Sequence, residues 1–243
     1  MAYLSRFHDQ QFDRLIVEAH SFACNDLGMN VVAADRVVVA GVDQAEAMRF
    51  HLSFDKSTKG GFDYFTGEVA LIGTVDYENP DGARIKGISQ ILHELVHSGS
   101  QNHNEHPYFN EALAGIAERA FLQSQELLDN WRPINDYTLQ KNESVINVPG
   151  DYRYYEPTTY TQPANTSNGL VASIGVRSIL QQSSIKPTDV LAASSRDGTR
   201  QFEIMKHAIA SVYPGLVDEI EQAPWQPHGV FKAASIVQRR ISA

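Results

Sequence analysis

Residues 93–97 read His-Glu-Leu-Val-His, and the run Ile88-Ser-Gln-Ile-Leu-His-Glu-Leu-Val-His-Ser98 around them contains neither Pro nor Gly. Ile85, Ile88, Ile91, Leu92 and Val96 fall at helical spacing, so the run predicts an amphipathic helix ending near Gly99. On a helix the two histidines stand four residues apart, one turn up the same face. Any fold of this chain must carry that helix through its middle with two imidazoles side by side. With nine histidines in 243 residues, composition alone yields such a pentapeptide on the order of 2% of the time.

Two imidazoles so placed can bind one zinc ion. Glu94 projects roughly 100° around the helix from His93, beside a metal rather than onto it. There it can act as general base on water. The plain alternative is a solvated polar face that happens to spell the motif. Catalytic zinc needs a third protein ligand and one open position. Cys24 is the only cysteine, which excludes an intrachain disulfide and thiolate-rich zinc sites. Two other candidates compete for the third place. Glu111 lies in Tyr108-Phe-Asn-Glu-Ala-Leu-Ala-Gly-Ile-Ala-Glu118, a segment expected to open a helix at Asn110 and run to about Leu128. An antiparallel return would aim its first turn at the metal. His103 lies six residues past His97.

The segment 93–118 resembles the gluzincin metallopeptidases, the thermolysin and aminopeptidase N group, which combine HExxH with a later helix carrying a glutamate ligand. The aminopeptidase N branch reads roughly W-x-N-E-G-x-A-x-x-x-E there, against Tyr108-Phe-Asn-Glu-Ala-Leu-Ala and then Glu118 here. The resemblance implies His93, His97 and Glu111 as zinc ligands, Glu94 as base and Glu118 as a group orienting a ligand. It implies a zincin-like fold and peptide-bond hydrolysis. It also implies a tyrosine from the C-terminal half that stabilises the oxyanion; Tyr160, upstream of Gly169, takes that role, with Tyr154 and Tyr155 as rivals. The departures are Tyr108 for Trp, Ala112 for Gly and a shorter spacer. Gly60-Gly-Phe-Asp-Tyr64 is not the branch's Gly-x-Met-Glu-Asn, so a preference for free amino termini does not carry over.

The metzincin pattern HExxHxxGxxH is matched at His93, Glu94, His97 and His103, but glycine falls at 99 and Ser100 takes its place. Its methionine turn has no good candidate, because Met205 sits in a helix-like pattern. With Glu111 as ligand, His103 and His106 become solvated loop histidines.

The rest of the chain suggests how the motif is housed. A helix is expected over about 5–27, with Cys24 on its apolar face. Val31-Val32, Arg36–Ala40, His51–Phe54, Phe62–Phe65 and Glu68–Ile72 are strand-like, with a turn cluster at Lys56–Gly61. They predict a small twisted sheet, with an edge strand near 68–73 able to pair with an extended peptide. Residues 131–167 hold four prolines and five tyrosines and read as a long functional loop. Helical patterns return at 168–182, 187–194, 197–212 and 229–242, and Trp131 and Trp225 read as anchors of core or helix ends.

The expected class is α+β and zincin-like: an N-terminal subdomain, 1–98, with a small twisted sheet and the HExxH helix, then a helical subdomain, 99–243, with a cleft between. A net charge of −9 and the lack of a phosphate loop argue against nucleic acid or nucleotide partners. No run approaches the roughly 18 apolar residues of a membrane span, and the N-terminus has no signal-peptide pattern, so a cytoplasmic location is expected. The expected function is a zinc metallopeptidase acting on a peptide or protein substrate. Alternatives are a single-target regulatory protease of the ImmA/IrrE kind and a non-catalytic metal-binding protein.

Overall fold

A computed structural model of the chain describes residues 10–40, 60–63, 67–72, 80–100, 105–124, 145–148, 152–155, 168–194, 199–225 and 227–242. Tyr160, His103 and Trp131 lie outside these residues.

Helix α1, Gln10–Ser21, continues into a π-helical turn, Phe22–Asp26. Its inner face buries Leu15, Ile16, Ala19 and Ala23, spaced three and four apart. Cys24 stays part-exposed, with Sγ 3.7 Å from His20 Nε2, rather than in the core. Strands β1, Val37–Ala40, β2, Gly60–Asp63, and β3, Glu68–Ile72, follow. Helix α2, Pro80–Gly99, carries the motif, and helix α3, Pro107–Ser124, carries Glu111. Strands β4, Val145–Val148, and β5, Tyr152–Tyr155, pair antiparallel. Among the described residues, five helices follow: α4, Asn168–Gln182; α5, Pro187–Ala192; α6, Thr199–Val212; α7, Leu216–Glu221; and α8, Pro227–Ser242. Among the described residues no helix is long and apolar enough to cross a membrane.

The fold is mostly helical, which corrects the expected α+β class with its small N-terminal twisted sheet. Strand pairing is confined to segments of four or five residues. The largest fully buried side chains explain why these segments do not set the architecture: Tyr108, Phe109, Phe121, Phe202 and Phe231 all lie on helices. Large rings dominate buried apolar area, so the layers that matter are helix on helix. Val37 and Val69 are the strand residues that join this core among those whose side chains are described. The valine-rich local pattern is real, but tertiary packing is built elsewhere. One continuous set of buried residues runs from Leu15 to Val237, drawn from helices on both sides of residue 98.

The expected edge strand near 68–73 is also corrected. β3 is the middle strand, parallel to β1 through Val37↔Val69 and antiparallel to β2 through Phe62↔Val69. With a neighbour on each side it has no free ladder to offer a peptide.

Helix α3 begins three residues before Asn110, and His106 explains this. Pro107 occupies the first helical position, where a missing N–H costs nothing. His106 then serves as the cap: its Nδ1 accepts the Tyr108 N–H at 3.2 Å, the service a serine or aspartate usually performs. Its Nε2–H donates to the Ala223 carbonyl at 3.1 Å, and its ring meets Trp225 edge-on at 5.6 Å. His106 is 1% exposed, not solvated as the sequence suggested, and the Trp225 ring against it is 51% exposed. Beside it, Lys206 on α6 bridges Glu105 at 2.5 Å and Glu221 at 2.7 Å.

This arrangement uses neutral His106, acceptor on one nitrogen and donor on the other. Burial holds its pKa below the ordinary value, only partly offset by the Ala223 carbonyl. The unfolded chain therefore binds the proton first, so stability from this residue is complete above about pH 6.5 and is lost as pH falls below it. His106→Asn, which keeps a capping acceptor but does not titrate, should shrink the gap between urea midpoints at pH 7.5 and 5.5. His106→Ala should cost about 1–3 kcal/mol at pH 7.5. An unchanged midpoint gap in the Asn variant would show that His106 does not carry the acid sensitivity.

Candidate metal centre

Helix α2 presents Ser89, His93 and His97 on one stripe, at steps of four residues. Its opposite side buries Ile88, Ile91, Leu92, Leu95 and Val96. Helix α3 presents Glu111, Gly115 and Glu118 on a second stripe, at steps of four and three. The two stripes face each other. Apolar packing behind each helix fixes where the polar faces meet, so the site does not depend on a loop for its shape.

His93 Nε2 lies 3.1 Å from His97 Nε2. Glu111 reaches both, with Oε2 3.5 Å from His93 Nε2 and Oε1 3.7 Å from His97 Nε2. All three ligand atoms lie within 4.8 Å of one another. Two ligands of a tetrahedral ion with bonds of 2.0–2.2 Å stand about 3.3–3.6 Å apart, so the observed spacings suit one small cation. The side chains of His93, His97 and Glu111 keep 14, 13 and 19% exposure, so solvent reaches the cluster.

Ring orientation is set from behind. Glu118 Oε1 sits 2.5 Å from His93 Nδ1, and Ser89 donates to the other carboxylate oxygen at 3.0 Å. A carboxylate on Nδ1 fixes the tautomer and turns Nε2 toward the cluster, the usual support of a metal-binding histidine. Glu118 was expected to orient a ligand; Ser89 was not singled out, although its step of four before His93 is readable.

The charges make the same case. Burial alone would lower the pKa of His93, but the Glu118 hydrogen bond and the charges of Glu118, Glu111 and Glu94 prevail and push it up to about 10. His97 is held down to about 3 by burial and by the charge on His93. Without a metal, His93 is thus the histidine of the pair that takes the extra proton, and its Nε2 faces His97 Nε2 at 3.1 Å. Burial raises Glu111, with the charge of His93 working against it and that of Glu118 with it. Among the described residues, the cationic partners of Glu111 and Glu118 are these histidines alone. Converging carboxylates and imidazole lone pairs call for positive charge, and a dication meets that demand better than one proton.

No protein-family model, curated protein or solved structure matches this chain. What the site can do is therefore read from its own atoms. Glu94 is 7% exposed and stands outside the group of three. Burial pushes its carboxyl up to about 7, against the charge of His93 and with those of Glu111 and Glu118, so it senses the cluster without joining it. A carboxyl with that pKa, beside a cluster that could hold a metal, suits proton transfer near neutrality.

Of the residues singled out from the sequence, His93, His97, Glu111, Glu94 and Glu118 come together here. Tyr154 and Tyr155 fall on β5, and Tyr160 and His103 lie outside the described residues. Met205 is fully buried within helix α6, not at a turn.

Proposed function

We propose that this chain is a zinc-dependent metallopeptidase, with His93, His97 and Glu111 as metal ligands and Glu94 as general base. The reading rests above all on one observation: three ligand atoms converge from two helices, with a buried carboxylate beside them that is not one of the three. Two histidines and one glutamate leave a coordination position open, as catalytic sites do. A dication bound there supplies Lewis acidity, lowering the pKa of water and polarising a carbonyl. Glu94 accepts the proton of the attacking water at a carboxylate oxygen and passes it to the departing amine nitrogen. Glu118 and Ser89 hold the His93 ring through Nδ1, so the ligand stays in place while the proton moves. The substrate is a peptide or protein segment whose scissile carbonyl reaches the part-exposed mouth of the cluster.

Metal analysis after zinc-replete purification, run beside hydrolysis of unstructured peptides, tests the reading. The expected result is about one equivalent of zinc together with cleavage that a chelator abolishes. Zinc below about a tenth of an equivalent would sink it. Full zinc with no cleavage of any peptide would instead leave a metal-binding protein without this chemistry.

A further inference from the structure

The polar stripe of helix α3 has a gap at Gly115, between Glu111 and Glu118, and the backbone of helix α4 fills it. A β-carbon on Gly115 would lie 2.0 Å from the Gly169 carbonyl oxygen and 2.4 Å from its carbon. That is far inside van der Waals contact, so the two helices cross at a pair of glycines. The crossing brings the first turn of α4 onto the candidate metal centre. A β-carbon on Gly169 would lie 2.8 Å from His93 Cε1, 3.1 Å from the Glu111 carbonyl oxygen and 3.1 Å from the Gly115 nitrogen. A side chain at this one position would thus press on one ligand's ring and on another ligand's main chain.

Cε1 is the ring atom between Nδ1 and Nε2. On one side of it Nδ1 is held by Glu118, and on the other Nε2 faces His97 and Glu111. Glu118 restrains Nδ1 but leaves the ring free to rock about that hydrogen bond. A β-carbon at 169, 2.8 Å from Cε1, would force that motion, and glycine leaves the space free. The contacts to Glu111 and Gly115 at 3.1 Å are relieved by shifts of a few tenths of an ångström. The contact to Cε1 has no such outlet, because the carboxylate behind the ring prevents retreat.

We propose that Gly169 is a positioning residue for the metal centre, whose lack of a side chain lets the His93 ring stand where Nε2 meets His97 and Glu111. This rests on the reading that His93, His97 and Glu111 hold a metal. A side chain at 169 should displace the ring and weaken the metal without removing any ligand.

The test uses the full chain with Zn²⁺ and Co²⁺ alone as probes, comparing the unsubstituted protein with Gly169→Ala. Zinc affinity, measured by competition with a chromogenic chelator, should fall about 10–100-fold, the range for losing support behind a metal ligand. The visible absorption band of the cobalt form should shift, which a change in helix packing alone would not produce. Zinc affinity within twofold of the parent and an unchanged cobalt band would overturn the proposal and leave the metal reading intact. No zinc binding by the parent itself would overturn both. If Gly169→Ala does not fold, Gly169→Ala with His93→Ala decides. Without the ring at Cε1 the double variant should fold as well as His93→Ala alone. A double variant that stays unfolded would make Gly169 a helix-packing residue only, and the proposal would fail.

Discussion

Glu94→Gln is expected to keep its zinc and to lose about 10²–10⁴-fold in kcat, the usual worth of a positioned general base. Glutamine has nearly the shape of glutamate, and the site is almost closed around residue 94, which is 7% exposed. Packing should therefore survive. Glu94 is not among the three converging ligand atoms, so metal content should survive as well. What the amide cannot do is accept and return a proton. The sign of the pH dependence follows from the same carboxyl. The working form is the carboxylate, so the wild-type rate should fall as pH drops through the Glu94 pKa. That value is about 7 with the proton on His93, and a dication in its place pulls it lower still. The acid limb of kcat/KM should thus lie near or below pH 7. It should vanish with the activity in Glu94→Gln, whereas a binding-only role for Glu94 would raise KM and spare kcat. Zinc-loaded Glu94→Gln that cleaves peptides at the native rate would end the assignment.

Much of the candidate site was legible because its signals are local. The step of four from His93 to His97 and the step of seven from Glu111 to Glu118 each specify one helix face. Reading those faces needs no knowledge of where the helices go. His106 shows the opposite case. Its run, Asn-His-Asn-Glu-His-Pro, looks like solvated loop, yet the residue is buried by a carbonyl 117 positions away. No periodicity reports a contact at that distance. Pro107 did signal the true helix start, one place after the cap. The glycine crossing was hidden for the same reason as the His106 contact: nothing local to Gly115 or Gly169 reports that the two meet. The fold class went astray on a different ground. The apolar runs at 37–40 and 68–72 do form strands, but strand pattern and fold-determining burial are separate properties. The large buried rings lie on helices, so the helices decide the class.

Glu111→Gln should lower zinc affinity by more than about 100-fold, since removing a ligand costs more than disturbing the groups behind one. Two effects add. The amide oxygen is a poorer donor to a hard dication than a carboxylate. The substitution also removes one of the negative charges that face the site from α3, leaving Glu118 behind the His93 ring. The helix itself should persist, because its start is held by Pro107 and His106 and its apolar face by Tyr108, Phe109, Leu113 and Phe121. Loss of zinc with unchanged far-ultraviolet dichroism is therefore the expected pair of results. His103→Ala is the matched control, because the same two histidines with His103 as third ligand would make the metzincin-type site. It should bind zinc like the parent. The reverse pattern, zinc kept in Glu111→Gln and lost in His103→Ala, would transfer the third place to His103. The convergence of Glu111 on both imidazoles, at 3.5 and 3.7 Å, would then belong to the metal-free state only. A carboxylate that merely balances the proton on His93 has no reason to reach His97 too. That second contact is why Glu111 is expected to be the ligand.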